Sequence, residues 1–171
     1  MLNQHRALNI LFGRISLAME NKPSSNQKVF SEEQVGEGLR EYEGNLRSVA
    51  SLARSRGANC IFMSQPMNFD RNSYYRGYER VGYSIDYPSF EQFVEIHSRY
   101  TEAMEEVAGE IGAYYIPMKE MFERLPGPPS RYFTDMMHYN EEGINVFATL
   151  AEKEIKSAVL SRIEAAIKQK E

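Results

Sequence analysis

The chain has 171 residues, of which 42% are hydrophobic and 26% are charged, and its formal net charge is −4. This length and balance predict a single globular domain over residues 1–171, and they exclude a disordered or fibrous chain. The acidic charge, without a cluster of Lys and Arg interleaved with aromatic residues, argues against nucleic acid as a partner.

The sequence also gives expectations about a membrane span and about the reactivity of its cysteine. It has no run of about 18 apolar residues, so we expect no membrane span, and its first residues lack the apolar stretch of a signal peptide. The compartment stays unknown. Cys60 is the single cysteine, and it lies in an apolar run, where a buried thiol is expected rather than a nucleophile.

The first part of the chain is predicted to form two helices and a strand. Residues 2–20 carry apolar side chains at roughly helical spacing. Ser31 and Gln34 fit a capping box, which starts a second helix that continues to Gly57. The apolar run 58–66 follows a glycine and ends at a proline, as is typical of a buried parallel strand.

The middle of the chain is predicted to form a long loop and a third helix. Residues 67–88 are rich in Asn, Arg, Gly and Tyr and have no apolar period, which predicts a loop. Ser89 and Gln92 fit a second capping box, and the apolar positions that follow continue at helical spacing to Gly112.

The last part repeats the alternation of strand and helix. Residues 113–117 have the strand pattern, residues 118–125 a short helix or turn, and residues 131–140 a loop. Asn140 is then the expected N-cap of a long closing helix. Because helices separate the strands, the pattern predicts an α/β fold with a parallel sheet, whose ligands bind at the carboxyl ends of the strands.

The loop before the closing helix holds the pair of residues with the clearest chemistry. Asp135 and His138 are three residues apart, so one turn can bring the carboxylate to an imidazole nitrogen. In serine hydrolases a histidine of this kind is the general base, and the carboxylate orients it. The alternative is a surface carboxylate beside a histidine that caps a helix.

Two segments resemble the SGNH/GDSL family of serine esterases and lipases. Residues 135–144, DMMHYNEEGI, are similar to the family's last motif, and residues 42–66 are similar to its preceding helix and strand. The resemblance covers about residues 40–150. It implies a partial flavodoxin-like three-layer fold, in which only the last strands and their helices are present.

The resemblance implies that His138 is the general base and Asp135 its orienting carboxylate, in the cleavage of an acyl ester by a Ser-His-Asp triad. It implies no metal or organic cofactor, and a carbohydrate or lipid ester as the substrate. The sequence, however, contains neither the family's Gly-Asp-Ser nor its Gly-x-Asn-Asp block. Ser84 is nearest to a nucleophile-elbow pattern but lacks the final glycine, so we interpret it as a loop serine. The chain alone is therefore expected to be inactive.

Other polar residues give weaker indications. Gln65 at the end of the first strand, together with Tyr74 and Tyr75, is a candidate for substrate binding, since tyrosine stacks on sugars. A plain surface loop is the alternative. His5 and His97 have no second ligand at metal spacing, so no metal site is expected.

A second function class stays open, that of a non-catalytic binding or assembly module. Two strands are marginal by themselves and leave an unpaired edge. We therefore expect self-association, or pairing with an N-terminal half of about three strands that these residues do not include.

Overall fold

The structure, a computed structural model, describes residues 28–80 and 86–168. The predicted helix over residues 2–20, His5 and Ser84 lie outside the described residues. In chain order the elements are α1 (Glu32–Ser55), β1 (Ile61–Met63), α2 (Arg71–Arg80), α3 (Phe90–Ile111), β2 (Tyr114–Ile116), α4 (Met118–Glu123), a 3-10 turn (Pro129–Arg131) and α5 (Glu141–Lys168).

The two strands pair in parallel, with Ile61 opposite Tyr114 and Met63 opposite Ile116. The ladder continues past β1, because the Ser64 amide donates to the Ile116 carbonyl at 3.1 Å. This confirms the predicted α/β class with a parallel sheet.

Helices cover both faces of this sheet. Phe62 of β1 packs with Ala50 of α1 and Ala108 of α3. On the opposite face, Ile116 of β2 packs with Phe122 of α4 and Ala151 of α5. Since side chains alternate between the faces of a strand, the two strands separate two small hydrophobic cores. The order of layers is α1 and α3, then the sheet, then α4 and α5.

Within residues 28–80 and 86–168, the outer edge of β1 carries backbone groups without a partner. The Cys60 carbonyl accepts from the Tyr114 amide at 3.3 Å, and the Ser64 amide also bonds to β2. Because backbone groups alternate in direction along a strand, those of Ile61 and Met63 point away from β2. No group in the described part of the chain bonds to them. The described part of the chain therefore leaves this edge open to another strand.

The predicted capping box at the start of α1 is confirmed. The Ser31 hydroxyl accepts from the Gln34 amide at 3.2 Å, and the Gln34 side chain accepts from the Ser31 amide at 3.0 Å. At the end of α3, Gly112 adopts a left-handed conformation with φ of 64°, which suits glycine and ends the helix as predicted.

The second predicted capping box is only half formed. The Ser89 hydroxyl accepts from the Gln92 amide at 3.1 Å, so Ser89 is the N-cap of α3. The Gln92 side chain, however, accepts from the Phe30 amide at 3.0 Å and donates to the Phe30 carbonyl at 2.7 Å. It thus ties the start of α3 to the segment before α1.

The prediction of a loop over residues 67–88 is wrong for α2. The Asp70 carboxylate accepts from the Ser73 amide at 2.8 Å, which caps the first turn of this helix. Tyr74 is fully buried, and its ring lies 5.6 Å from that of Phe90 and 4.9 Å from that of Phe93. Packing against α3 therefore stabilises a helix that has no apolar period of its own.

Two further features concern the Cys60 thiol and the question of a membrane span. Cys60 is a half-buried free thiol that packs against the core of Ala50, Phe62 and Ala108. Among the helices that the structure describes, none combines the length and the apolar character needed to cross a membrane.

Candidate functional site

The candidate site is a closed turn over residues 133–139, between the 3-10 turn and α5. Phe133 and Tyr139 form an antiparallel bridge at its base. The Thr134 amide donates to the His138 carbonyl at 2.8 Å, and the Thr134 hydroxyl donates to the same oxygen at 3.1 Å. Phe133 is buried in the core, so the base of the turn is fixed while its tip faces outward.

The turn brings Asp135 and His138 together. His138 Nδ1 lies 2.8 Å from Asp135 Oδ2 and 3.0 Å from Oδ1. The Met137 and His138 amides both donate to Asp135 Oδ1 at 2.9 Å. An ionised carboxylate only accepts hydrogen bonds, so it places the proton on Nδ1 and leaves Nε2 as the acceptor. The His138 side chain is 71% exposed, so its ring is accessible.

The charge of Asp135 follows from these contacts. Partial burial raises its pKa, but the amides of Met137 and His138 and the His138 ring outweigh that effect. The net result is a pKa below the usual 3.8. Asp135 is therefore ionised at neutral pH, as an orienting carboxylate must be.

Asn68 attaches this turn to the carboxyl end of β1. Its amide donates to the Met136 carbonyl at 2.9 Å, and its Nδ2 lies 3.5 Å from the Asp135 carbonyl. The turn therefore sits at the edge of the sheet where ligands of parallel α/β folds bind. Sequence reasoning did not identify Asn68, because its partners in the turn are 67 or more positions away and no local pattern marks it.

Ser64, also at the carboxyl end of β1, has a structural role. It is 2% exposed, and its hydroxyl accepts from the Lys119 amide at 2.9 Å and lies 3.4 Å from the Glu120 carboxylate. Helix α4 follows Pro117, which provides no side-chain cap. Ser64 supplies that cap from the neighbouring strand. Its hydroxyl is thus occupied within the fold.

The candidate substrate-binding residues lie in different environments. Gln65 is exposed at the carboxyl end of β1, and its Nε2 donates to the Pro66 carbonyl at 3.1 Å. Tyr74 is completely buried and its hydroxyl donates to the Pro88 carbonyl at 2.7 Å. Tyr75 is half-buried, with its ring edge against Tyr74 at 5.2 Å. Of these three residues only Gln65 is exposed, and Tyr74 is a packing residue.

Gln65 also lies near the turn. Burial raises the pKa of the Tyr139 hydroxyl to about 12, and the Gln65 side chain acts in the opposite direction. Tyr139 follows His138 directly, so Gln65 lies beside the turn that holds His138. This position is compatible with contact between Gln65 and a ligand of His138.

His97 lies on the α3 side of the same sheet edge. Its ring meets Phe69 edge-on at 5.1 Å, and its Nδ1 is buried with no partner among the described residues. Lys119 Nζ pairs with Glu123 at 2.8 Å. Burial, reinforced by the charge of Lys119, lowers the pKa of His97 from 6.5, although the Gln65 backbone and the charges of Glu123 and Glu120 act in the opposite direction. No set of three or more metal-binding side chains is found within residues 28–80 and 86–168.

The depressed pKa of His97 predicts a pH-dependent stability. As pH falls below 6.5, the unfolded chain binds a proton at this residue before the folded chain does, so the free energy of unfolding decreases. Urea unfolding at pH 7.5, 6.5 and 5.5 should show this decrease, and His97→Phe should reduce it. Above pH 7.5 the two profiles should be parallel. An equal decrease in both proteins would contradict the assignment.

Comparison with known proteins assigns neither a family nor a function to this chain. The sequence matches no model of a protein family and no curated protein.

Proposed function

We propose that this chain supplies the general base and the orienting carboxylate of an SGNH/GDSL-type ester hydrolase. The observation that supports this most is the 2.8 Å contact between His138 Nδ1 and the Asp135 carboxylate, in a turn attached to the carboxyl end of β1. His138 Nε2 would remove the proton of a serine hydroxyl as that oxygen attacks the ester carbonyl. Asp135 would hold the tautomer and stabilise the imidazolium that forms.

The fold is compatible with this proposal. A parallel sheet with helices on both faces is the core of a three-layer α/β fold, and we propose that it is the last part of a flavodoxin-like one. In such folds the reacting groups meet outside the carboxyl ends of the strands. Asp135 and His138 lie at this edge.

The proposed reaction needs a serine from outside these 171 residues. The sequence contains no Gly-Asp-Ser, and Ser64 caps α4. We propose that the serine lies on an N-terminal segment or on a partner chain that adds strands to the open edge of β1. The acyl group of a carbohydrate or lipid ester would pass to this serine and then to water, with His138 acting in turn as base and acid.

A fluorophosphonate probe, which reacts with activated serines, tests this proposal. The 171-residue chain should not be labelled. The same chain expressed together with the coding sequence in frame upstream of Met1 should be labelled, and His138→Ala and Asp135→Asn should abolish the reaction. If the 171-residue chain is labelled and His138→Ala prevents it, the serine lies within the chain and this part of the proposal is wrong.

The second candidate function is a non-catalytic assembly module. The observation that favours it is the open edge of β1, together with exposed apolar residues on the flanking helices: Val49 and Leu52 of α1 and Ile144 of α5, each more than half exposed. Such surfaces are typical of interfaces. Self-association in analytical ultracentrifugation, combined with no labelling of either protein, would favour this function over the hydrolase.

A further inference from the structure

Asn68 is a buried polar residue between the two segments that form the candidate site. It is 2% exposed, so its side chain is enclosed by protein. Its Nδ2 group donates to the Ser73 hydroxyl at 3.2 Å and approaches the Asp135 carbonyl at 3.5 Å, while its backbone amide bonds to the Met136 carbonyl at 2.9 Å. One residue thus meets two successive carbonyl groups of the turn.

These contacts act on the Asp135 carboxylate through a rigid peptide plane. The Met136 carbonyl and the Met137 amide belong to one planar trans peptide, so they point in opposite directions. Asn68 holds the carbonyl at 2.9 Å, and the amide then points at Asp135 Oδ1, also at 2.9 Å. Fixing one side of this plane therefore fixes the hydrogen bond on the other side.

The unpaired atom of Asn68 argues against a purely structural role. Its Oδ1 is buried and has no partner among the described residues. A buried acceptor without a partner lowers stability, which an apolar residue at this place would avoid. An apolar residue would keep the backbone bond to Met136 but would lose the Nδ2 contacts with the Ser73 hydroxyl and with the Asp135 carbonyl, and only the second of these reaches the turn.

We propose that Asn68 is a positioning residue, which holds the Asp135–His138 pair in the geometry of a base and its orienter. Any effect of Asn68 on catalysis rests on the proposed function. The positioning itself does not, because it concerns hydrogen bonds that can be measured without any reaction.

Nuclear magnetic resonance of the ¹⁵N-labelled chain tests the positioning. In Asn68→Ala, and in Asn68→Asp, which replaces the donor with a second carboxylate, the His138 Nδ1 proton should exchange with water about tenfold faster. Ser64→Ala is the matched control, since Ser64 is equally buried at the end of β1 but contacts α4. It should lower stability without changing this exchange rate. Equal exchange rates in the wild type and both Asn68 variants would overturn the proposal.

A measurement on the unmodified chain does not depend on whether the variants fold. The side-chain amide resonances of Asn68 should shift with the same midpoint as the His138 ring when the pH is changed. Resonances that do not move during the His138 titration would overturn the proposal. In the longer protein that reacts with fluorophosphonate, Asn68→Ala should slow labelling about tenfold. If no longer protein reacts, the hydrolase proposal fails, while the resonance data still decide the role of Asn68.

Discussion

Replacing Gly143 with alanine should cost about 3 kcal/mol of stability or more, because the added methyl group has no space. An ideal Cβ at this position would lie 2.0 Å from the Tyr132 carbonyl oxygen, 2.9 Å from its carbon and 3.2 Å from Tyr139 Cβ. The first two contacts are with backbone, which cannot rotate away. Urea unfolding followed by circular dichroism measures the effect.

Gly44→Ala in α1 is the control for this substitution. Gly44 also lies within a helix, but its added methyl group would meet nothing within 4 Å. The intrinsic preference for alanine should therefore stabilise the protein by about 0.5 to 1 kcal/mol. A Gly143→Ala protein as stable as the Gly44→Ala protein would show that α5 does not pass so close to Tyr132.

Phe122→Ala should destabilise the fold by about 3 to 5 kcal/mol. Phe122 is 8% exposed, and its ring lies 5.8 Å from Phe133, 5.5 Å from Tyr139, 6.0 Å from Tyr132 and 6.4 Å from Phe147. Removal of the ring leaves a cavity directly beneath the turn that holds Asp135 and His138. Urea unfolding measures the loss.

The milder substitution Phe122→Leu tests whether the loss of side-chain volume, rather than any substitution at this position, destabilises the fold. It keeps most of the side chain and should cost less than about 1.5 kcal/mol. Because Phe133 and Tyr139 form the base of the turn, the alanine variant should also speed exchange of the His138 Nδ1 proton more than the leucine variant does. Similar effects of the two variants on stability would indicate that the ring is not packed as described.

The parts of the fold that could be predicted are those that local sequence determines. Ser31 and Gln34 are three residues apart and bond to each other, so the start of α1 was evident. The parallel strands follow from short apolar runs between helices. Asp135 and His138 are likewise close in sequence, and one turn suffices to join them.

The parts that could not be predicted depend on contacts between distant residues. Gln92 has the spacing of a capping box with Ser89, but it bonds to Phe30, 62 positions earlier. Helix α2 is stabilised by Tyr74 among the aromatic rings of α3, so its own residues do not reveal it. The roles of Asn68 and Gly143 depend on the folded position of the turn, so their sequence neighbours do not reveal them.

The order of residues along the chain has a consequence for how the site forms during synthesis. Strands β1 and β2 and helices α1 to α3 precede the turn of residues 133–139, so the ribosome releases these two strands first. Joining β1 and β2 requires closure of a loop of about fifty residues, which is slow compared with local turn formation. The amide of Asn68 consequently lacks its partner, the Met136 carbonyl, until residues 133–139 emerge. The nascent protein therefore gains its oriented imidazole only after both strands have been synthesised.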